Sequence, residues 1–233
     1  MKVGIATPVS LHLLADLVED GHELPAGYQF PPHAQLVREY VERGHEVSLF
    51  TLAPELREPR TFRGDRLRIH VGRFRPARRA RDFFAVERAD LVAAMRADPC
   101  DVVHAHWTYE FALAAMDSGR PHVVTAHDAP LAIWKLHRDG YRFLRLLMAF
   151  PAIRRARVLT AVSAYVAEHI ARVFRYRAPI HVVPNGLPAS VFAAGNAREG
   201  HTAGTAARFA SVLTGWSRVK NAATLLRAFA TVR

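Results

Sequence analysis

Cysteine is almost missing from this sequence, which has one cysteine, Cys100, among its 233 residues. A single thiol excludes an internal disulfide and is typical of proteins in a reducing compartment. The sequence also lacks a secretory apolar segment, because His12 and Asp16 interrupt the apolar residues of 11–18. No apolar run is long enough for a membrane-spanning helix. We therefore expect a cytoplasmic protein.

Acidic residues are scarce, with 21 Asp and Glu against 32 Lys and Arg, a formal net charge of +11. Residues 66–81 hold seven arginines and no acid, and residues 135–157 hold seven basic residues and one acid, Asp139. The second stretch is interleaved with apolar side chains, so peripheral contact with an anionic membrane at its inner face is one interpretation. An arginine-rich solvated surface is another. No nucleic-acid partner is expected, because no recognised binding module is present.

Three common catalytic motifs are also missing. The sequence contains no Gly-x-Gly-x-x-Gly, no phosphate loop ending in Gly-Lys-Ser/Thr, and no Gly-x-Ser-x-Gly turn. These absences disfavour dehydrogenases, nucleotidases and hydrolases of the familiar types.

Short apolar runs alternate with longer helical patterns, which predicts an α/β fold with a doubly wound, mostly parallel sheet. The predicted strands are residues 3–6, 47–52, 67–71, 102–105, 122–126, 158–161 and 180–183. The predicted helices are residues 33–43, 84–96, 109–118, 131–154 and 164–174. The first of these helices stops at Gly44, which suits a left-handed cap.

The domain organisation follows from where this alternation stops. Residues 1–184 form one predicted domain, and residues 185–207 have no apolar period and are interpreted as a linker. Residues 208–233 predict one strand, 209–214, and one helix from Lys220 or Asn221. About 25 residues are too few to bury a core of their own. We therefore expect the truncated beginning of a second domain.

Polar residues follow two of the predicted strands, in residues 101–107 (DVVHAHW) and 123–128 (VVTAHD). Ligands of open α/β sheets bind beyond the carboxyl ends of the strands. Side chains alternate along a strand, so His104 and His106 share a face, and His127 lies at the end of the next strand. Zinc binding by these three histidines is one interpretation, but no His-Glu-x-x-His signature supports it and no metal is expected. Strand-end histidines bonded to the backbone are a second interpretation, and imidazoles that bind a sugar hydroxyl are a third.

Five ordered motifs resemble the family 4 glycosyltransferases of GT-B architecture, and the resemblance covers nearly the whole chain. They are residues 43–47 (RGHEV), 101–107, 123–128, 160–163 (TAVS) and 183–187 (VPNGL). The resemblance implies a Rossmann-like N-terminal half of a GT-B fold, joined to the start of the donor-binding domain.

The resemblance also implies roles for individual residues. His127 matches the catalytic histidine that lies against the donor sugar, and His106 and Trp107 match positions on the acceptor side of the cleft. In the loop after the first strand, members commonly carry a glycine pair whose bare backbone can approach the donor phosphate, whereas residues 23–28 have one glycine, Gly27. We assign Gly27 to acceptor binding. Further implied sites are the donor-diphosphate residues Arg218 and Lys220 and the interdomain residues Asn185 and Gly186.

The implied reaction is transfer of a sugar, with retention of configuration, from a UDP- or GDP-type donor to a glycan, lipid or small-molecule acceptor. The nucleotide sugar is a co-substrate, and the resemblance implies no metal and no other cofactor. The family's second domain carries two glutamates separated by seven residues, and no such pair occurs here, so we expect little activity from this chain alone. An acceptor-binding module or split half without activity of its own is a second hypothesis. A nucleotide-sugar epimerase is a third, which the run at 215–221 disfavours.

Overall fold

In a computed structural model, which describes residues 1–196, 211 and 220–231, the chain forms an eight-stranded sheet. The strands are β1 (Lys2–Ala6), β2 (Glu46–Ala53), β3 (Arg60–Arg63), β4 (Leu67–Arg73), β5 (Val102–His106), β6 (His122–Ala126), β7 (Leu159–Ala161) and β8 (Ile180–Val182). Their order is β3-β4-β2-β1-β5-β6-β7-β8. Every neighbouring pair is parallel except β3 with β4. The predicted α/β class with a mostly parallel sheet is confirmed.

Helices connect the strands on both sides of the sheet. They are α1 (Pro31–Glu42), α2 (Ala85–Ala97), α3 (Glu110–Asp117), α4 (Pro130–His137), α5 (Gly140–Arg155), α6 (Ala164–Val173), α7 (Ala189–Asn196) and α8 (Ala222–Thr231). Short 3₁₀ turns occupy Leu11–Leu17, Gly21–Glu23 and Arg79–Asp82.

The alternation of side chains along the strands creates two apolar cores. Ile5 and Leu49 point to one side of the sheet, where α1 and the 3₁₀ turn at Leu11–Leu17 cover them. Phe50 and Ala105 point to the other side, under α2, α3, α5 and α6. Both faces of the sheet are therefore buried, as parallel strands require.

The strand order reverses direction next to β1. The chain first forms β2, the edge strand β3 and then β4 between them, and it crosses from β4 to β5 on the other side of β1 and continues to β8. The carboxyl ends of β1, β5 and β6 consequently border the topological switch point, where open α/β sheets form their ligand crevice.

Two parts of the secondary structure differ from the sequence prediction. Strand β3 was not predicted, because only Phe62 of its four residues is buried and the rest are exposed polar side chains. The predicted helix 131–154 is two helices, since Arg138 has a left-handed backbone (φ 52°) and Asp139 caps α5 by accepting a hydrogen bond from the Arg142 N–H at 2.8 Å. Gly44 has φ 82°, as its predicted role as a cap requires.

The chain divides into two compact units, Met1–Leu187 and Pro188–Arg233. The segment interpreted as a linker contains α7, and the helix predicted near Asn221 is α8. The predicted strand 209–214 lies outside the described residues apart from Ser211. In the described part of the chain, no helix combines the length and apolar character needed to cross a membrane.

Candidate functional site

The ends of β5 and β6 bring two predicted histidines into contact. His106 is the last residue of β5, and His127 directly follows β6, which pairs in parallel with β5. His106 Nδ1 and His127 Nε2 are 2.9 Å apart and share a hydrogen bond. The hydrogen bond from the Trp107 N–H to the Thr125 carbonyl, at 2.9 Å, fixes the two strand ends side by side.

A third histidine, His33, joins them from the first turn of α1. Its ring is buried, and its Nδ1 lies 3.0 Å from the Pro8 carbonyl oxygen and also contacts the Thr7 hydroxyl. Because a carbonyl oxygen only accepts, the contact with Pro8 is a hydrogen bond in the tautomer that carries its proton on Nδ1. One ring nitrogen from each of His33, His106 and His127 lies within 4.8 Å of the other two. We call these three residues the histidine cluster.

His104, the remaining histidine of β5, is bonded elsewhere. Its Nε2 lies 2.6 Å from the Thr125 hydroxyl, which is itself 2.6 Å from the Thr160 hydroxyl. A row of polar side chains across β5, β6 and β7 therefore satisfies His104, although its ring packs 4.1 Å from that of His106. From the sequence, His104, His106 and His127 were considered as zinc ligands. In the structure, the histidine cluster contains His33 instead of His104.

Burial keeps these imidazoles neutral. Loss of hydration lowers the pKa of His33 and of His104 to about 4 and that of His127 to about 3, and it lowers the pKa of His106 well below its ordinary value. A neutral imidazole has one donor and one acceptor nitrogen. At neutral pH the cluster therefore offers lone pairs as well as N–H groups to a ligand.

Two aromatic rings form an apolar wall over the histidines. The ring centroid of Trp107 lies 5.0 Å from that of His127 and 5.1 Å from that of Phe30, and Phe30 lies 4.4 Å from His33. Trp107 has a left-handed backbone, φ 64°. Backbone strain of this kind concentrates at functional sites. The predicted position of Trp107 beside His106 and His127 thus places an aromatic face next to polar groups, an arrangement that suits a sugar ring.

Next to His127, a buried carboxylate is held by groups that sequence reasoning missed. The Tyr109 hydroxyl donates to both oxygens of Asp128, each at 3.0 Å. Burial raises the pKa of Asp128 and that of Tyr109. Arg145 of α5 places its guanidinium 3.8 Å from the centre of the Tyr109 ring and 3.5 Å from a carboxylate oxygen of Glu110. A pocket beside this group is lined by Pro8, Tyr28, Trp107, Glu110, Tyr141 and Arg145, among others.

Gly27 lies in the loop after β1, where the sequence placed it. Its φ is 68°, and it forms an isolated antiparallel bridge with Ser10. A Cβ at this position would lie 3.0 Å from the Val9 carbonyl oxygen and 3.0 Å from the Leu11 side chain. The turn therefore requires glycine for internal reasons, and acceptor binding by Gly27 stays a prediction.

Four further site residues were predicted from the sequence, and the structure describes three of them. Asn185 and Gly186 are exposed in the segment between β8 and α7, and Lys220 is exposed just before α8. Arg218 lies outside the described residues. Their predicted roles in the interdomain segment and in diphosphate binding stay predictions.

Comparison with known proteins supplies the family. The sequence profile described as Glycosyltransferase Family 4 matches residues 34–191, more than half of the chain. No curated protein matches. One solved structure, titled "Crystal Structure of UDP-galactose 4-epimerase", shares 12% identity over 78% of this chain and 86% of that one, with a TM-score of 0.25, too low to support an argument. On the profile match, the chain belongs to glycosyltransferase family 4.

Proposed function

We propose that this protein transfers a sugar from a UDP- or GDP-type nucleotide donor to a glycan, lipid or small-molecule acceptor, with retention of configuration. The observation that carries the proposal is His127, a neutral imidazole at the switch point of a family 4 domain, hydrogen-bonded to His106 at 2.9 Å. Retention and the type of donor come from the family resemblance. The proposal needs the nucleotide sugar as co-substrate and no further cofactor.

In this proposal His127 holds the donor sugar near the reacting carbon. Its Nε2 is engaged by His106, so Nδ1 is the ring nitrogen left for a sugar hydroxyl. The faces of Trp107 and Phe30 would pack against the C–H groups of a sugar ring, a common use of aromatic side chains. His127 thereby orients the sugar, and the aromatic wall keeps water from the reacting centre.

The departing nucleoside diphosphate gains negative charge in the transition state. We assign its stabilisation to Lys220 and Arg218, together with the N-terminus of α8, because cations and helix N-termini stabilise such charge. Asn185 and Gly186 stay the proposed interdomain residues.

The acceptor would enter beside Gly27, His106 and Trp107. Trp107 also lines a small pocket that contains Glu110 and Arg145. Glu110 could accept hydrogen bonds from acceptor hydroxyls, while Arg145 neutralises the buried carboxylates around it. We further propose that the protein works in the cytoplasm, in peripheral contact with the inner face of an anionic membrane.

A transfer assay tests the proposed function. The purified chain is incubated with UDP- and GDP-sugars and a panel of glycan, lipid and small-molecule acceptors. Glycosylated product is detected by mass spectrometry, and the configuration of the new linkage is determined by NMR. We expect product to form slowly, because the sequence lacks the family's pair of glutamates. Product with retained configuration supports the proposal, and an inverted linkage contradicts the retaining mechanism.

The same assay distinguishes the transferase proposal from the hypothesis that the chain is an acceptor-binding module. Acceptor binding detected by saturation-transfer NMR, without product from any donor, would support that hypothesis against the transferase proposal for this chain. Loss of the binding signal in His106→Ala would place the acceptor at the site described.

A further inference from the structure

We infer that His33, His106 and His127 form a binding site for one divalent transition-metal ion, of which zinc is the best fit. The three residues come from α1, β5 and the end of β6, and each places a ring nitrogen within 4.8 Å of the other two. The chemistry of the ligands, three imidazoles and no carboxylate or thiolate, suits Zn²⁺, Ni²⁺ or Cu²⁺ rather than Mg²⁺ or Ca²⁺.

Two nitrogens of the cluster are buried without a partner. His33 Nε2 and His106 Nε2 have no hydrogen bond within the described residues, and both residues are buried, with 2% and 4% of their surface exposed. In the tautomer that donates from Nδ1 to the Pro8 carbonyl, His33 Nε2 carries a bare lone pair. An unsatisfied buried polar group costs about 1–3 kcal/mol. A cation at the centre of the cluster would remove this cost.

The surroundings of His33 resemble those of metal-binding histidines. Such residues usually donate their second N–H to a carbonyl or carboxylate, which fixes the tautomer and aims the other nitrogen at the metal. His33 does this with the Pro8 carbonyl at 3.0 Å.

The ligand nitrogens of the histidine cluster need to move only a short distance to bind one ion. Zinc binds imidazole nitrogen at about 2.0–2.1 Å in tetrahedral geometry, which puts neighbouring nitrogens about 3.4 Å apart. The ligand nitrogens of the three histidines lie within 4.8 Å of one another, so they must approach by up to about 1.4 Å through side-chain rotation. Three protein ligands leave the fourth position open to water or a substrate oxygen.

One consequence rests on the proposed function. A metal bound to His127 occupies the imidazole that the donor sugar would contact, so metal and donor would compete. Zinc would then inhibit transfer, and a chelator would restore it.

Metal binding itself is tested without donor or acceptor, so that its failure is distinct from failure of the transferase proposal. Untagged protein is freed of metal with a chelator, then titrated with Zn²⁺ by calorimetry and with Co²⁺ by visible absorption. We expect one ion per chain and the intense absorption bands of tetrahedral Co²⁺, with affinity at least about tenfold lower in His33→Ala, because even outer contacts of metal sites contribute 10–100-fold.

The controls are two histidines outside the cluster, His22, which is exposed, and His104, which is bonded to Thr125. His22→Gln and His104→Gln should bind Co²⁺ like the unchanged protein. Circular dichroism of each metal-free variant checks folding, and His33→Gln replaces His33→Ala if the latter unfolds. The inference is overturned if the unchanged protein gives no tetrahedral Co²⁺ spectrum, or if a folded His33 variant binds with undiminished affinity.

Discussion

His127 is the residue on which the proposed chemistry depends. Its imidazole is neutral, partly exposed to the crevice and held through Nε2 by His106. Orientation by a neighbouring side chain matters here because a hydrogen bond contributes to the rate only when it meets the substrate in the right geometry.

His127→Ala is expected to lower the rate of sugar transfer by about 10–100-fold, since a hydrogen bond to the reacting sugar is worth about 1–3 kcal/mol. The initial rate with a labelled nucleotide sugar measures this change. His22→Gln, at an exposed histidine, is the matched control and should transfer at the unchanged rate. Equal rates for His127→Ala and the unchanged protein would remove His127 from the mechanism.

Motifs could predict which residues end the strands, and the period of a strand could predict that His104 and His106 share a face. The sequence could not predict His33, because its partners Thr7 and Pro8 lie at the end of β1, 26 and 25 residues away. Arg145 was hidden for a related reason. In the sequence it belongs to a basic, apolar stretch typical of surfaces, whereas the fold turns it inward toward Tyr109 and Glu110.

At the level of elements, α5 supplies Arg145, the cation beside the buried carboxylate of Glu110 and the partly buried carboxylate of Asp128. Arg145→Leu leaves Glu110 and Asp128 without it, and we expect the free energy of unfolding to fall by about 3–5 kcal/mol. Urea denaturation measures the loss. The double variant Arg145→Leu with Glu110→Leu should recover part of it, because the unpaired charge at Glu110 is also removed.

Arg154, exposed on the same helix, provides the control. Arg154→Leu should change the free energy of unfolding by no more than about 0.5 kcal/mol. A similar loss in Arg145→Leu and Arg154→Leu would contradict the role assigned to the buried pair.

Strands β1, β2 and β4 are tied to the end of α2 by one buried carboxylate. Asp98 accepts hydrogen bonds from Lys2, from Ser48 at 2.7 Å, from Arg68 at 3.0 Å and from His70 at 2.8 Å. Burial alone would raise the pKa of Asp98, but the hydrogen bonds from Lys2, His70 and Ser48 outweigh it and hold the pKa well below its usual range.

A carboxyl with a depressed pKa stabilises the fold above its unfolded pKa of 3.8 and loses this contribution as the pH falls toward its folded pKa. We therefore expect the stability difference between the unchanged protein and Asp98→Asn to shrink by about 2 kcal/mol or more between pH 5 and pH 2. Urea denaturation across this range measures it, with Asp65→Asn, at an exposed carboxyl, as control. A difference that stays constant with pH would contradict the assignment.

Apolar runs in the sequence predicted seven of the eight strands that the structure describes, although β8 at the edge is largely exposed. Edge strand β3 lacked that signal, since pairing with β4 rather than burial defines it. The break between α4 and α5 was also invisible to apolar periodicity. It depends on one left-handed residue, Arg138, and on the cap by Asp139.

At the scale of the whole molecule, both apolar cores and all eight strands of the described residues lie within Met1–Leu187. A protein of residues 1–187 is expected to unfold cooperatively with a Tm within about 4 °C of the full chain, the shift that a change of about 1 kcal/mol produces at this size. Circular dichroism during heating tests this. Loss of a cooperative transition would mean that the first unit depends on the residues after it.

Many of the arginines that give the protein its positive charge form hydrogen bonds or ion pairs within the fold. Five of the seven arginines in residues 66–81 have internal partners, Arg66, Arg68, Arg73, Arg75 and Arg79. Helix α5 differs, because Phe143 and Leu147 are four residues apart and are exposed to 42% and 39%. The helical segment 135–157, rather than 66–81, is thus the better candidate for membrane contact.

We expect the protein to sediment with vesicles containing anionic lipid at low salt, and less so as salt rises, because screening weakens the attraction. The double variant Phe143→Ser with Leu147→Ser should bind less than the unchanged protein. Leu187→Ser, which changes an exposed leucine outside the helix, should bind normally. Absence of sedimentation at low salt would contradict the membrane proposal.

The left-handed backbone of Trp107 sets a limit on engineering this protein. That conformation costs a bulky residue about 1–2 kcal/mol, and glycine would adopt it freely. Glycine, however, would remove the ring that packs on His127 and Phe30. At position 107, stability therefore favours glycine, whereas ligand recognition favours tryptophan. A search for stabilising substitutions should leave Trp107 unchanged.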